Sequence, residues 1–516
     1  MEPEGPSYLP DPMVRYRATV LDPASAVRYP EDPDLRDTVY IADQLLVALD
    51  SADDAAGVLA GIEEAARSHG WRVAEEDRTP FEVDGRAEKL SGRADSLRAA
   101  ARHRLPLVFT VRVELDPKDP APTHVDAWRV LQGLRRRTDG RPAAKVGLNH
   151  LLTSATGVGG APFTFGAPFT FGAPFTFGAP FTFGAAGGVG SYVVPGSGGR
   201  GPVNYLGACP RPARDSKRPR VVVLDSGTGE HDWFTADPVE RKVTCSAGII
   251  GMDVDDPATS ATDPEGAGAI VDNMTGDVHS HAGHGTFISG LLRQICPAAA
   301  ITSLRVMDAD GVVDEGTLAR ALTDVAVKQA DEPGWAQALV LALGYYSETT
   351  EDATYTGVLK NTVKALAASG IAVFLAAGNN YTSRPFYPAA FAADPDLGPG
   401  NGLAPVVSVA ALNPNGTVAL FSNDGPWVTA QAPGANLVST APRLPVGAVQ
   451  PSARVAGPAG RARATIDQDD FASGFMTWSG TSFAAPVLAA QYLNNYIEAG
   501  YPSDPKECRS LVPPRP

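Results

Sequence analysis

The chain has 516 residues, 44% hydrophobic and 20% charged, with a formal net charge of −15. That length leaves room for two or three domains, and the composition is that of an ordinary soluble globular protein. The acidic balance argues against broad electrostatic attraction to nucleic acid or an anionic membrane, and no window has the apolar length of a transmembrane helix.

In chain order, residues 1–36 are rich in Pro, Asp and Glu and read as a disordered tail. Their first twenty, MEPEGPSYLPDPMVRYRATV, lack a basic stretch followed by an apolar one, so a signal peptide is not expected. TVYIADQLLVAL (38–49) reads as a strand, and 50–70 as a helix capped by Asp50 or Ser51 and stopped by Gly70. RLPLVFTVRVEL (104–115) alternates as a second strand. Residues 124–140 have helical spacing, and 144–152 read as a last strand. Residues 37–155 therefore form a small α+β unit.

A Gly-rich linker, 156–202, follows, with APFTFG written four times over 161–184. The unit is too short for a solenoid. Pro at every sixth position forbids a regular helix, so the segment reads as an extended tether of up to roughly 80 Å. Beyond it the pattern changes. RPRVVVLDSG, AAAITSLRVMD, AQALVLALGYY, GIAVFLAAGNN and LAPVVSVAAL are short apolar runs, separated by helical stretches such as 316–330 and 356–369. That alternation predicts an α/β fold with a central parallel sheet and helices on both sides. Residues 203–497 form this domain, and 498–516 read as a C-terminal tail.

Polar residues cluster at the ends of these strands, where ligand sites of such sheets lie. Asp225 ends VVVLD, and alone it reads as a turn or capping residue. His279, His281 and His284 lie close together in HSHAGHGTF, but no carboxylate motif follows that would make them metal ligands. Ser482 opens a small-residue helix after Gly-Thr, where a capping role is common. Taken together, the three supply a nucleophile, a base and a carboxylate that holds the base. Asn379 follows LAAG, where its amide can donate to a developing oxyanion, a contribution of about 2.7–4 kcal/mol.

VLDSG, HGTFISG, AAGN and GTSFAAP resemble the Asp, His, oxyanion and Ser motifs of the subtilisin-like serine peptidases. The resemblance covers roughly 218–497. It implies a three-layer α/β fold and endopeptidase activity through an acyl-enzyme on Ser482, with Asp225 and His284 completing the triad. It implies an oxyanion hole made by Asn379 and the Ser482 backbone N–H, and substrate contacts at Ala342, Leu343, Gly344, Ala376, Ala377 and Gly378. The related sedolisins use Glu and Asp instead, and place Asp where Asn379 stands. Two departures bear on the cleft. Ala342 stands where the family has Ser, and 441–474 reads as an insertion.

No cofactor is required by this chemistry. Structural calcium occurs among relatives, and the acidic run Asp253–Asp256 (DVDD) is a candidate, although it lacks an EF-hand pattern and reads as a solvated loop. The four cysteines, Cys209, Cys245, Cys296 and Cys508, fit no metal spacing and are expected as reduced thiols in the cytoplasm, with non-classical export left open. The expected partners are peptide or protein substrates, with no nucleic acid and no membrane. By analogy with family propeptides, 37–155 is expected to inhibit the peptidase, and the repeat to be a tether or an occupant of the cleft. Two alternatives stay open: a peptide ligase or macrocyclase using the same triad, and a catalytically silent peptide-binding scaffold.

Overall fold

The computed structural model describes residues 12–28, 35–78, 80, 88–118, 124–137, 146–154, 199–211, 217–272, 276–349, 357–398, 400–443 and 447–513. The APFTFG segment, and with it both readings of its role, lies outside the described residues.

The N-terminal unit begins earlier than its composition predicts. Residues 12–15 form a helical turn, and β1 (Ala18–Leu21) pairs antiparallel with β2 (Thr38–Leu49). Arg15 bonds Asp310, 2.9 Å away, and the Tyr16 hydroxyl donates to Asp308 at 2.8 Å. This part of the expected tail is ordered because its two polar side chains find acidic partners on the far domain. Helix α1 (Ala55–Arg67), β3 (Trp71–Val73), α2 (Glu88–Arg102), β4 (Leu107–Leu115), α3 (Ala127–Arg137) and β5 (Val146–Ser154) complete the unit. Ser51 caps a short 3-10 turn just before α1. The three-residue β3 and the polar α2 have no expected counterpart in the sequence reading.

Why β2 and β4 are apolar on both faces becomes clear here. Leu45, Val47, Phe109 and Val111 pack with Ile62, Trp128 and Leu131 of the unit's own helices. Leu46 and Val108 point the other way and join the core of the larger domain, as does Leu152 of β5. Each such buried side chain contributes about 1.5–3 kcal/mol.

The larger domain is built on β7 (Arg220–Asp225), β8 (Ala300–Arg305), β10 (Ala338–Leu341), β12 (Ala372–Ala376), β13 (Val406–Leu412) and β14 (Ala430–Pro433). All pair in parallel, in the order β8-β7-β10-β12-β13-β14. Connecting helices include α4 (His284–Ile295), α5 (Glu315–Asp331), α6 (Val358–Ala368) and α7 (Thr481–Glu498). The interiors of β7, β10 and β12 are wholly buried, which explains their unbroken apolar runs. The strand order reverses at β7, so Asp225 ends a strand beside the topological switch point.

Two boundaries shift. Gly201–Pro202 (β6), placed in the linker by the sequence reading, pairs with β16 (Phe475–Trp478) of the larger domain, and β16 pairs in turn with β15 (Leu437–Thr440). The expected C-terminal tail contains a helix, α8 (Pro505–Ser510), whose Arg509 donates to the Leu403 and Leu397 carbonyls. All four cysteines are free thiols. No helix among the described residues is long and apolar enough to cross a membrane.

Candidate active site

The sheet and two helix starts bring Asp225, His284, Asn379 and Ser482 to one end of the domain. Asp225 is the last residue of β7, and its Oδ1 accepts from the Ser226 N–H at 2.8 Å. His284 is the first residue of α4, turned inward by Gly283 at φ 84°. Its Nδ1 lies 2.6 Å from Asp225 Oδ1, which fixes the Nδ1–H tautomer and leaves Nε2 as the basic nitrogen. Gly285 has no room for a side chain, since a Cβ there would stand 1.9 Å from the Gly227 carbonyl oxygen. This close approach of backbone to backbone holds the Asp and His turns together.

Ser482 is the second residue of α7, at the positive end of the helix dipole. Its Oγ donates to the Ala342 carbonyl at 3.4 Å, and no hydrogen bond joins it to His284 among the described residues. Asn379 follows β12. Its Oδ1 accepts from both the N–H and the hydroxyl of Thr481, each at 2.9 Å, which commits the oxygen and leaves Nδ2 aimed elsewhere. His284 Nε2 and Asn379 Nδ2 are both buried without a hydrogen-bond partner among the described residues. A buried polar atom left unmet costs about 1–3 kcal/mol. These are the two atoms an acyl-transfer reaction would use.

All of the candidate triad is fully buried, and the N-terminal unit runs a strand close by. The last residues of β5 run between β9 (Val312–Asp314) and β11 (Leu343–Gly344). Leu151, Leu152 and Thr153 pair with Asp314, Val313 and Val312, while Thr153 and Ser154 pair with Gly344 and Leu343, all antiparallel. Leu343 and Gly344 thus offer a strand edge to β5. The facing edge, Val312–Asp314, was not foreseen. Ala376, Ala377 and Gly378 sit differently, with no pairing to β5. The Ala377 and Gly378 carbonyls accept from Asn423, and their N–H groups are met by Val409 and Thr481, so this stretch can offer a surface but no free backbone edge.

Glu265 is a further member of the site that no motif announced. It comes from the loop before the His turn and is 4% exposed. It bonds the Ser226 hydroxyl, which also reaches Asp225 Oδ1 at 3.1 Å, and it accepts from Gly285 N–H at 3.0 Å and Thr286 Oγ1 at 2.6 Å. Burial, with help from Asp263 and Asp225, pushes its pKa up to about 8. A carboxyl whose folded pKa is raised destabilises the fold as pH climbs from its ordinary value through about 8. Glu265→Gln is expected to remove that slope. Thermal unfolding at pH 5 and pH 9 checks it: the wild type should lose more melting temperature between the two than the variant does.

The remaining polar candidates sort simply. His281 is held neutral by burial and by the nearby His284, Arg200 and His279. Asp253 and Asp255 each pair with Lys242 at 2.7 Å, and Asp256 caps a short helix. No group of three His, Cys, Asp or Glu residues able to hold a metal occurs among the described residues.

A buried Asp–His pair, a serine at a helix start and an unpartnered amide, at the carboxyl ends of one parallel sheet, make this an α/β protein with a candidate acyl-transfer centre. The chain belongs to the Subtilase family, whose Peptidase S8 model matches residues 216–496. It is 28% identical over 227 residues to the thermophilic serine proteinase of Bacillus sp. strain AK1, covering 44% of this chain and 46% of that one. It is 26% identical over 239 residues to the minor extracellular protease Epr of Bacillus subtilis strain 168, covering 42% and 33%. A subtilisin-like protease of Coccidioides posadasii strain C735 is 30% identical over 198 residues, covering 37% and 43%. The chain thus spans less than half the length of each of these relatives. Among solved structures, a cold-adapted subtilisin-like serine proteinase matches with a TM-score of 0.37 at 19% identity, covering 60% of this chain and 88% of that one.

Proposed function

We propose that the chain is a serine endopeptidase held as a self-inhibited precursor. Ser482 attacks the scissile carbonyl, His284 takes its proton through Nε2, and Asp225 stabilises the imidazolium. Asn379 Nδ2 and the Ser482 N–H receive the oxyanion. The observation that carries this reading is the pair of unmet buried atoms, His284 Nε2 and Asn379 Nδ2, beside the Ser482 helix start. Peptide substrates would bind by strand addition between β9 and β11. The chain's own β5 now runs there, which supports inhibition by the N-terminal unit. The last described pair, Ser154 with Leu343, is one residue from Ala342, whose carbonyl accepts from Ser482. Self-cleavage is therefore expected soon after Ser154.

Incubation of the matured chain with an unfolded protein, followed by mass spectrometry, tests the reading. New peptides that each gain one water support hydrolysis, and an intact substrate sinks it. Asn379→Ala is expected to lower kcat by about 10²–10³-fold with little change in KM, because the amide acts only on the transition state. Steady-state kinetics on a chromogenic peptide checks this, and an unchanged kcat would remove Asn379 from the oxyanion hole.

A further inference from the structure

Arg200 lies at the end of the Gly-rich stretch that separates the two domains, yet it is 1% exposed. Burying a guanidinium costs several kcal/mol unless its charge and N–H groups are met. Here Nη1 donates to the Ala282 carbonyl at 2.6 Å, and Nη2 to the His279 carbonyl at 3.1 Å. The cation also lies over the rings of Trp478, at 5.3 Å, and Phe471, at 5.7 Å. Burial still draws its pKa down to about 10, with Glu265 and Asp469 acting against the fall.

These partners are not scattered. His279–Ala282 is the turn that delivers His284: the Ala282 N–H donates to His279 O, and the His284 N–H donates to His281 O. Trp478 stands edge-on to the His284 ring, with centroids 5.6 Å apart and planes at 88°. One side chain thus grips the turn before the base and the ring beside it. The backbone that carries Arg200 is fixed as well, because Gly201 and Pro202 pair with Thr477 and Met476 on the strand that leads to Ser482.

We infer that Arg200 is a positioning residue for the catalytic base, and that the active chain must retain it however much of the upstream linker is removed. This rests on the peptidase reading above. The segment from Arg200 to Pro202 is then no mere remnant of the linker. It joins the upstream linker to the two loops whose relative placement sets the geometry of attack. A small displacement of the His turn would misplace Nε2 for taking the Ser482 proton, a fault that costs on the order of 10²-fold in rate.

The test uses the full chain, matured by itself. Arg200→Met keeps bulk but loses the donors and the charge. It is expected to lower kcat on the order of 10²-fold and to leave KM within about twofold. Arg200→Lys should recover most of the loss, and millimolar methylguanidinium should partly restore Arg200→Ala. A lowered kcat with KM nearly unchanged is the readout that a purely structural staple would not give. Wild-type kcat in Arg200→Met overturns the inference while leaving the peptidase reading intact. A wild type that hydrolyses nothing overturns both. If the variants do not fold, N-terminal sequencing of the fluorophosphonate-labelled wild type decides. A first residue at or before Arg200 supports retention, and a later one overturns it.

Discussion

The Ser482→Ala chain is expected to remain at full length and take up no fluorophosphonate, while the wild type is cut and labelled. Loss of the nucleophile in subtilisin itself costs about 10⁶-fold in kcat, and that scale should apply here. The substitution is clean as a probe. Ser482 is fully buried in a helix start crowded with Thr481, Phe483 and Ala484, and its Oγ makes one long contact, 3.4 Å to Ala342. Removing that oxygen leaves the packing as it was, so thermal unfolding of the variant should match the uncut wild type. Gel mobility over time reads self-cutting, and the label reads the nucleophile. Cleavage of the Ser482→Ala chain at the wild-type rate would mean that another agent cuts it, and would end the self-processing reading.

The four candidate residues were legible because each stands in a backbone setting that its neighbours dictate. Asp225 ends an unbroken run of buried apolar residues, Val221–Leu224. His284 follows Gly283, at φ 84°, and Asn379 follows Gly378, at φ 96°, both in the left-handed region that favours glycine, while Ser482 opens a helix just after Gly480 and Thr481. Residues that act across the chain left no such local mark. Val312–Asp314 is three residues long, too short for any periodicity to separate it from a turn. Glu265 acts through Ser226 and Thr286, which are distant in sequence, and a lone Glu in a polar loop carries no signal of burial. Arg200 sits in PGSGGRGPV, a composition that reads as linker whatever its arginine touches. The pairing of β5 with the cleft is likewise a property of two domains, and was reachable only by analogy.

The interface between those domains hides an ion cluster with a large expected effect. His150 on β5 places Nδ1 2.6 Å from Glu315 and Nε2 2.9 Å from Glu348. Arg135 of α3 reaches Glu348 at 3.5 Å, and the Tyr345 ring stacks on His150 with centroids 4.2 Å apart. Both carboxylates and the imidazole are fully buried. Glu348→Ala strips one carboxylate from two buried cationic side chains, a change that costs about 3–5 kcal/mol in comparable sites. Undocking puts both side chains back in water, so the cost falls on the docked state. The N-terminal unit is then expected to bind on the order of 10²–10³-fold more weakly. The cut Glu348→Ala chain should show full peptide hydrolysis at dilutions where the cut wild type is still inhibited. The cluster also sets a direction with pH. Burial works against charge on His150, but Glu315 and Glu348 more than offset it and push its pKa up to about 10. Its contribution to docking is complete below the ordinary histidine value, near 6.5, and fades as pH rises toward about 10. Glu348 moves the other way: burial tends to raise it, yet His150 and Arg135 hold it below the usual range, so its contribution is lost only in acid. Inhibition of the wild type should therefore weaken between pH 7 and pH 10. A His150→Gln chain, with no charge to lose, should show a flatter profile. Wild-type inhibition that tightens over that range would show that the cluster does not hold the domains together.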